Sequence, residues 1–467
     1  MVMIRNNSLL SKEVLENSID EEKLEKKVVK DLALESFGWS SNFYQRDPKK
    51  ITATGFILGF WKMQDAKEHS LANWALHTGI EVEDTISKEG INNRLTPCAV
   101  AMVKMILKHA LSLKLGKFFT KEKANASNQK LYSKFNRILL QDSTMQKLPP
   151  NLSEIFKSSH SKKQAATLRL QAIYDFTNET WVDFELGGYT DNDQSKAMMI
   201  TKVAQKNDLI LRDLGYFTLE SLAHLSEYQY IISKWSRTTN LYSPDNGQQI
   251  NLLRLFKGKR VLDIPIHLGS KKRLPLRLVA KKLPEAIALQ RIEEAKNDRH
   301  TKSNHSEEYY QLLHWEIYLT NVTASILSIE EIAKIYGLRW YIEILFKAWK
   351  SYANFKSILD KEKMTYERTV ISIYLMLIRF VYYMLDIYHY IKLKVSDETN
   401  KIISILKFFS LCRNLSDKII NIRQLKDLDP LIPQFISHGT YEKRRKRKNM
   451  QQKHLYVNEL CIKKNIT

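Results

Sequence analysis

The sequence predicts an α/β protein, with a mixed-sheet core interrupted by a β-rich insertion and helical regions at both ends. Three observations carry this. Apolar residues recur at helical spacing through the first 130 residues or so and again from Ser328 onward. Between them, short apolar runs end on Asp142 and on Asp213, with a hairpin pattern in the interval. A further strand-rich stretch then precedes the return to helix.

Taken in order, residues 1–130 read as a helical domain, with Val100 to Leu115 as its clearest amphipathic stretch. Leu71 to Leu95 fits two short helices around a turn. It is either a groove-reading element offering Ser87, Lys88, Asn92, Asn93 and Arg94 outward, or an ordinary helical hairpin with a solvated face. Residues 131–227 form the first part of the sheet core: Arg137 to Gln141 is a strand, Thr167 to Tyr174 and Trp181 to Leu186 pair across a turn at Asn178, and Leu209 to Leu211 is a strand. The order strand, Asp, hairpin, strand, Asp predicts carboxylates projecting from strand ends.

Residues 228–325 form the β-rich insertion, with strands at Tyr228 to Ser233, Val261 to Leu268, Leu276 to Lys281 and Glu316 to Thr320, and a charged helix from Glu285 to Arg299. Residues 326–395 resume the core as helices, opened by a capping box at Ser328 and Glu331. Residues 396–467 are a helical C-terminal region with a basic tail, in which Lys443, Arg444, Arg445, Lys446, Arg447 and Lys448 run consecutively.

Composition narrows the function classes. A formal charge of +22 over 467 residues favours polyanionic partners, nucleic acid or an anionic membrane. Cys98, Cys412 and Cys461 lie far apart and form no Cys-x-x-Cys pair, so neither a disulfide framework nor a cysteine zinc site is indicated, which fits a reducing cytoplasm. The charged N-terminal region lacks a secretory pattern, so export is not expected. No phosphate-cradling glycine motif occurs. Val370 to Ile391 is apolar enough to suggest a membrane span, but Arg379 and Asp386 interrupt it and a buried core helix fits better.

The segment with chemical content is IYGLRWYIEILFKAWK, from Ile335 to Lys350. At about 100° per residue, with Tyr336 as zero, Arg339, Glu343 and Lys350 fall at roughly 300°, 340° and 320° on one helical stripe. An apolar face of Ile342, Leu345, Phe346 and Trp349 adjoins it. Gly337 is a point at which the helix can break, leaving Tyr336 the least secure member. A carboxylate between cations suits metal-assisted phosphodiester chemistry; the same pattern also serves as a solvated face of ion pairs.

Tyr336-x-x-Arg339-x-x-x-Glu343-x-x-x-x-x-x-Lys350 resembles the Tyr-Arg-Glu-Lys signature of a group of bacterial insertion-sequence transposases in the DDE superfamily. Asp142-Ser143-Thr144 and Asp213-Leu214-Gly215-Tyr216-Phe217 resemble that family's first and second aspartate segments. The resemblance is at motif level over about residues 135 to 385. It implies an RNase H-like catalytic core, with Asp142, Asp213 and Glu343 as catalytic residues and ligands of two Mg²⁺ ions, for which Mn²⁺ substitutes. It also implies DNA contacts from Tyr336, Arg339 and Lys350, and from Trp315, which falls where a relative has a DNA-contacting tryptophan; core packing is the competing role for that residue. The basic run Lys443 to Lys448 either adds phosphate affinity or is a solvated tail.

The implied activity is cut-and-paste transposition: DNA cleavage at terminal inverted repeats and strand transfer into target DNA, by a homodimer in a synaptic complex, in the cytoplasm and without a membrane partner. The rival readings are a catalytically inactive DNA-binding regulator derived from such an enzyme, and a membrane-surface protein using the Val370 helix and the tail.

Overall fold

Strand formation follows the alternation and β-branching of the sequence. In β1 (Ile138–Leu148) the run from Ile138 to Gln141 is fully buried, as in strands covered on both faces. The computed structural model describes residues 25–113, 134–158, 165–297, 305–359, 361, 364–399 and 401–441; the basic run Lys443 to Lys448 lies outside them. The described residues divide into two compact units, one drawn from residues 25–113, 146–168 and 344–441, the other from residues 134–145 and 169–343.

The second unit carries the sheet. With β2 (Ala166–Asp175), β3 (Thr180–Gly187), β4 (Leu209–Arg212), β5 (Tyr230–Lys234), β6 (Leu241–Tyr242), β7 (Val261–Leu268), β8 (Leu274–Lys282) and β9 (Trp315–Thr320), the nine-stranded order is β3-β2-β1-β4-β5-β9-β8-β7-β6. β1, β4 and β5 are parallel neighbours, whereas β9, β8, β7 and β6 continue antiparallel from β5. The strands of the insertion thus extend the core sheet itself. The hairpin turn forms because the Asp175 carboxylate accepts from the Asn178 backbone and side-chain amides, at 3.0 and 2.7 Å.

One sequence expectation needs revising. Asp142 does not follow the end of its strand; β1 runs on to Leu148. It outlasts β4, whose pairing stops at Gln141 and Arg212 because the chain enters a 3-10 turn, Leu214–Tyr216, directly after Asp213. Asp142 therefore lies just past the last β1–β4 pair, in mid-strand. The core under the sheet joins Leu139, Ile210, Ile231, Leu278 and Leu319 to Phe256 and Trp315, all buried.

The first unit is mainly helical. Leu71–Val82 and Lys88–Asn92 are the two expected short helices, the second capped by Ser87. Arg94 is not offered outward: it donates to the Phe43 carbonyl at 2.8 Å and lies over the Phe43 ring. The hydrophobic Val370 stretch forms Tyr366–Tyr382 and Tyr388–Thr399, with a kink at Leu385 between them, and is 89% buried over its most apolar window. Arg379, one of the two charges that interrupt it, is buried and bonded to Asp65 at 2.6 Å, to Ser416 at 2.8 Å and to the Trp61 carbonyl. This compensates the buried charge and makes the segment a core helix.

Candidate active site

Helix Ile329–Tyr336 begins at the expected capping box of Ser328 and Glu331. Gly337 does not end the chain's helical course; it opens a 3-10 turn, Gly337–Arg339, that leads into helix Trp340–Tyr352. Tyr341 sets the start of that helix against the hairpin, with its ring 5.7 Å from Tyr174 and 5.3 Å from Phe176. Arg339 and Glu343 then sit one helical turn apart, with Arg339 facing Asp142 in the middle of β1 and Asp213 at the end of β4.

Arg339 is the hub. Its Nη1 lies 2.8 Å from Glu343 Oε1 and 3.3 Å from Asp142 Oδ2, and its Nη2 lies 3.8 Å from Asp213 Oδ1. Three carboxylates from separate elements thus converge on one guanidinium. Burial pushes the Asp142 carboxyl up to about 7, although the Ser143 amide and Arg339 pull it down; Glu343 and Asp213 add to the rise. Burial also works against the charge of Arg339, but Tyr336 and the three carboxylates outweigh it and raise its pKa.

Among the described residues, no three His, Cys, Asp or Glu side chains form a group close enough to hold a metal as they stand. The Arg339 guanidinium sits among Asp142, Asp213 and Glu343 and pairs with each of them. The donor set itself fits a hard divalent cation: all three groups are carboxylates, and the most buried of them, Asp142, lacks enough positive charge to stay ionised below neutral pH.

The remaining motif residues separate. Tyr336 is buried, donates from its hydroxyl to the Arg212 carbonyl at 3.2 Å, and packs on Tyr318 at 5.2 Å. It braces the residue before Asp213. Lys350 lies two turns beyond Glu343 on the same helix, where burial lowers its pKa. Trp315 takes the packing role and not the DNA-contacting one: it is only 8% exposed and stacks on Phe256 at 3.9 Å and 8°. A flat aromatic on β9 meets the helix under the sheet there, which excludes it from solvent.

A polar network beside Asp142 had no sequence signal, because its members lie on separate elements. Ser143 donates to Asp193 at 2.7 Å, and Arg169 donates to Asp193 at 3.0 Å. Gln171 joins them and accepts from Tyr216. Asp193 also explains Gly215: a Cβ there would stand 2.8 Å from the Asp193 carboxylate.

Residues 133–362 match the family model "Transposase DDE domain". The chain is 29% identical over 339 residues to the transposase for insertion sequence element IS231F of Bacillus thuringiensis subsp. israelensis, covering 68% of this chain and 70% of that one. It is 27% identical to the IS231B transposase of subsp. berliner, over 68% and 70%, and 26% identical to the IS1151 transposase of Clostridium perfringens, over 67% and 69%. These matches support a DDE transposase of a bacterial insertion sequence. In this transposase the mixed α/β sheet and the flanking helical regions agree with the RNase H-like core that the motifs implied. Its backbone is also similar to the piggyBac transposase in a synaptic complex with hairpin DNA, at TM-score 0.42 and 8% identity over 92% and 86% of the two chains, a likeness too loose to assign any residue.

Proposed function

We propose that this transposase performs cut-and-paste movement of an insertion sequence, cutting DNA at terminal inverted repeats and joining the freed end to target DNA. Asp142, Asp213 and Glu343 are the catalytic carboxylates and hold Mg²⁺ or Mn²⁺. The observation that carries this reading is the convergence of these three side chains on Arg339 from β1, the end of β4 and helix Trp340–Tyr352.

Bound divalent ions supply Lewis-acid activation of the attacking oxygen and stabilise the leaving one. The protein's own residues do the rest. Arg339 exchanges its carboxylate partners for a DNA phosphate once the charge among them is neutralised, and so holds the reacting strand. Tyr336 positions the β4 end through the Arg212 carbonyl, which fixes where Asp213 projects. Lys350 adds a cation for the same strand, and duplex DNA is the partner throughout. Two copies act together on the two ends of the element, in the cytoplasm.

The test uses a labelled duplex carrying the element's terminal sequence. Asp142→Ala, Asp213→Ala and Glu343→Ala are each expected to abolish nicking with Mg²⁺ while leaving duplex binding intact. Nicking at the parental rate by any one of them removes that residue from the assignment.

A further inference from the structure

The register of the sheet places more than the carboxylates at its active end. β4 and β5 are parallel, with Leu211 opposite Ile232, so Lys234 comes level with Asp213. β9 runs back, with Lys234 opposite Tyr318, which puts its first residue, Trp315, beyond that level. Lys282 is opposite Trp315, and Lys281 is opposite both Glu316 and Val261. The Lys282 amide donates to the Arg260 carbonyl at 2.9 Å. Lys257 and Lys259 sit in the turn that leads into β7, where Gly258 takes φ +70°.

Five cations, Lys257, Lys259, Arg260, Lys281 and Lys282, therefore gather at the same end of the sheet as Asp142 and Asp213. All are exposed, and among the described residues none forms an ion pair. The nearest acid on the paired strands, Glu316, is already engaged by Arg291 at 3.4 Å. At about 4.8 Å per strand, β8 and β7 lie three and four steps from β4, roughly 14 and 19 Å away along the sheet end. Lys234, half-buried over the Tyr336 ring, lies between the two groups.

From this we propose that Lys257, Lys259, Arg260, Lys281 and Lys282 form a phosphate track for the DNA duplex whose strand is cut at the carboxylates. Its spacing matches backbone phosphates about four to six nucleotides from the reacting one, at about 3.4 Å per step. The placement rests on the carboxylate site proposed above, since that site sets where the reacting phosphate lies. A sheet that grows outward from the catalytic strands gives the track a rigid base, and binding there fixes the approach of the duplex without reading its bases.

The experiment measures duplex affinity of the full chain against salt, with the terminal-sequence duplex and with a scrambled one. The variant combining Lys257→Ala, Lys259→Ala, Arg260→Ala, Lys281→Ala and Lys282→Ala is expected to flatten the log-log salt slope by up to about 4.5 on both duplexes, because each lost phosphate contact removes about 0.9. The pair Lys281→Ala and Lys282→Ala should give about two-fifths of that. The control pair Lys271→Ala and Lys272→Ala removes charge from the turn at the opposite end of β7 and β8, about 27 Å away at 3.3 Å per residue, and is expected to leave the slope unchanged.

A parental slope in the fivefold variant, with parental thermal unfolding, overturns the track. An equal effect from the control pair also overturns it, because the attraction is then general charge. Shortening the duplex to fewer than about four base pairs on the track side should abolish the difference between variant and parent; persistence of the difference counts against the placement. If the slope falls as expected while Asp142→Ala still nicks DNA, the track stands as a binding surface and the carboxylate assignment fails instead.

Discussion

Arg339→Gln separates the two roles of the guanidinium. In the metal-free protein Arg339 is paired with all three carboxylates, so its removal leaves them facing one another without that shared cation. Its bonds to Glu343 and Asp213 involve acids that are 36% and 48% exposed, and solvent screening limits each to about 1 kcal/mol or less. Its contact with Asp142 is different, since the two side chains are 12% and 13% exposed. Removing one partner of a buried pair costs about 3–5 kcal/mol, and the part of Asp142 already protonated near neutrality places this case at the low end. The sum is about 3–4 kcal/mol, or two to three orders of magnitude in the opening equilibrium of the strands that carry the site. Hydrogen exchange of the β1 and β4 amides reads that equilibrium directly, and in EDTA their protection should fall by that factor. In saturating Mg²⁺ the ions replace the missing charge and most of the protection should return, so Mg²⁺ stabilises the variant more than the parent. DNA cleavage should still be lost. Unchanged protection in EDTA, or an equal Mg²⁺ increment in both proteins, would refute the reasoning.

Three further outcomes follow from the same structure. The Asp142 carboxyl titrates near 7 when folded, against 3.8 for the ordinary group, so the folded metal-free protein retains a proton that the unfolded chain releases. Metal-free stability should therefore fall as pH rises from about 4 to about 7, and Mg²⁺ binding should release a proton and strengthen over that window; calorimetry in buffers of different ionisation enthalpy measures it. Trp315→Ala should destabilise the second unit by about 3–5 kcal/mol through the cavity opposite Phe256, whereas Trp315→Phe should keep parental duplex affinity, checked by denaturation and a binding titration. Arg379→Leu leaves Asp65 buried without its cation and should cost the first unit about 3–5 kcal/mol, seen as a lowered urea midpoint with no change in the second unit's exchange protection.

Much of this was legible from local pattern. The β-alternation around Val261 to Leu268 and Glu316 to Thr320 located β7 and β9 almost to the residue, because strand periodicity is a property of neighbouring side chains. The capping box at Ser328 was legible for the same reason. β6 has only two residues, Leu241 and Tyr242, too few for any period to register. The Ser143–Arg169–Asp193 network, drawn from β1, β2 and the loop after β3, has no spacing to recognise.

By itself the sequence singled out Asp142, Asp213 and Glu343 as candidate acids, through their resemblance to a family signature, and it predicted the mixed sheet that would carry them, since hydrophobic period is a local quantity. Only the tertiary structure decided that Arg339 sits among all three, that Tyr336 turns inward to the Arg212 carbonyl, and that Trp315 is a core residue. It also decided that Lys281 and Arg260 share an end of the sheet with Asp213. Those facts depend on strand order and register, which are set by burying one apolar surface against another across more than a hundred residues of intervening chain.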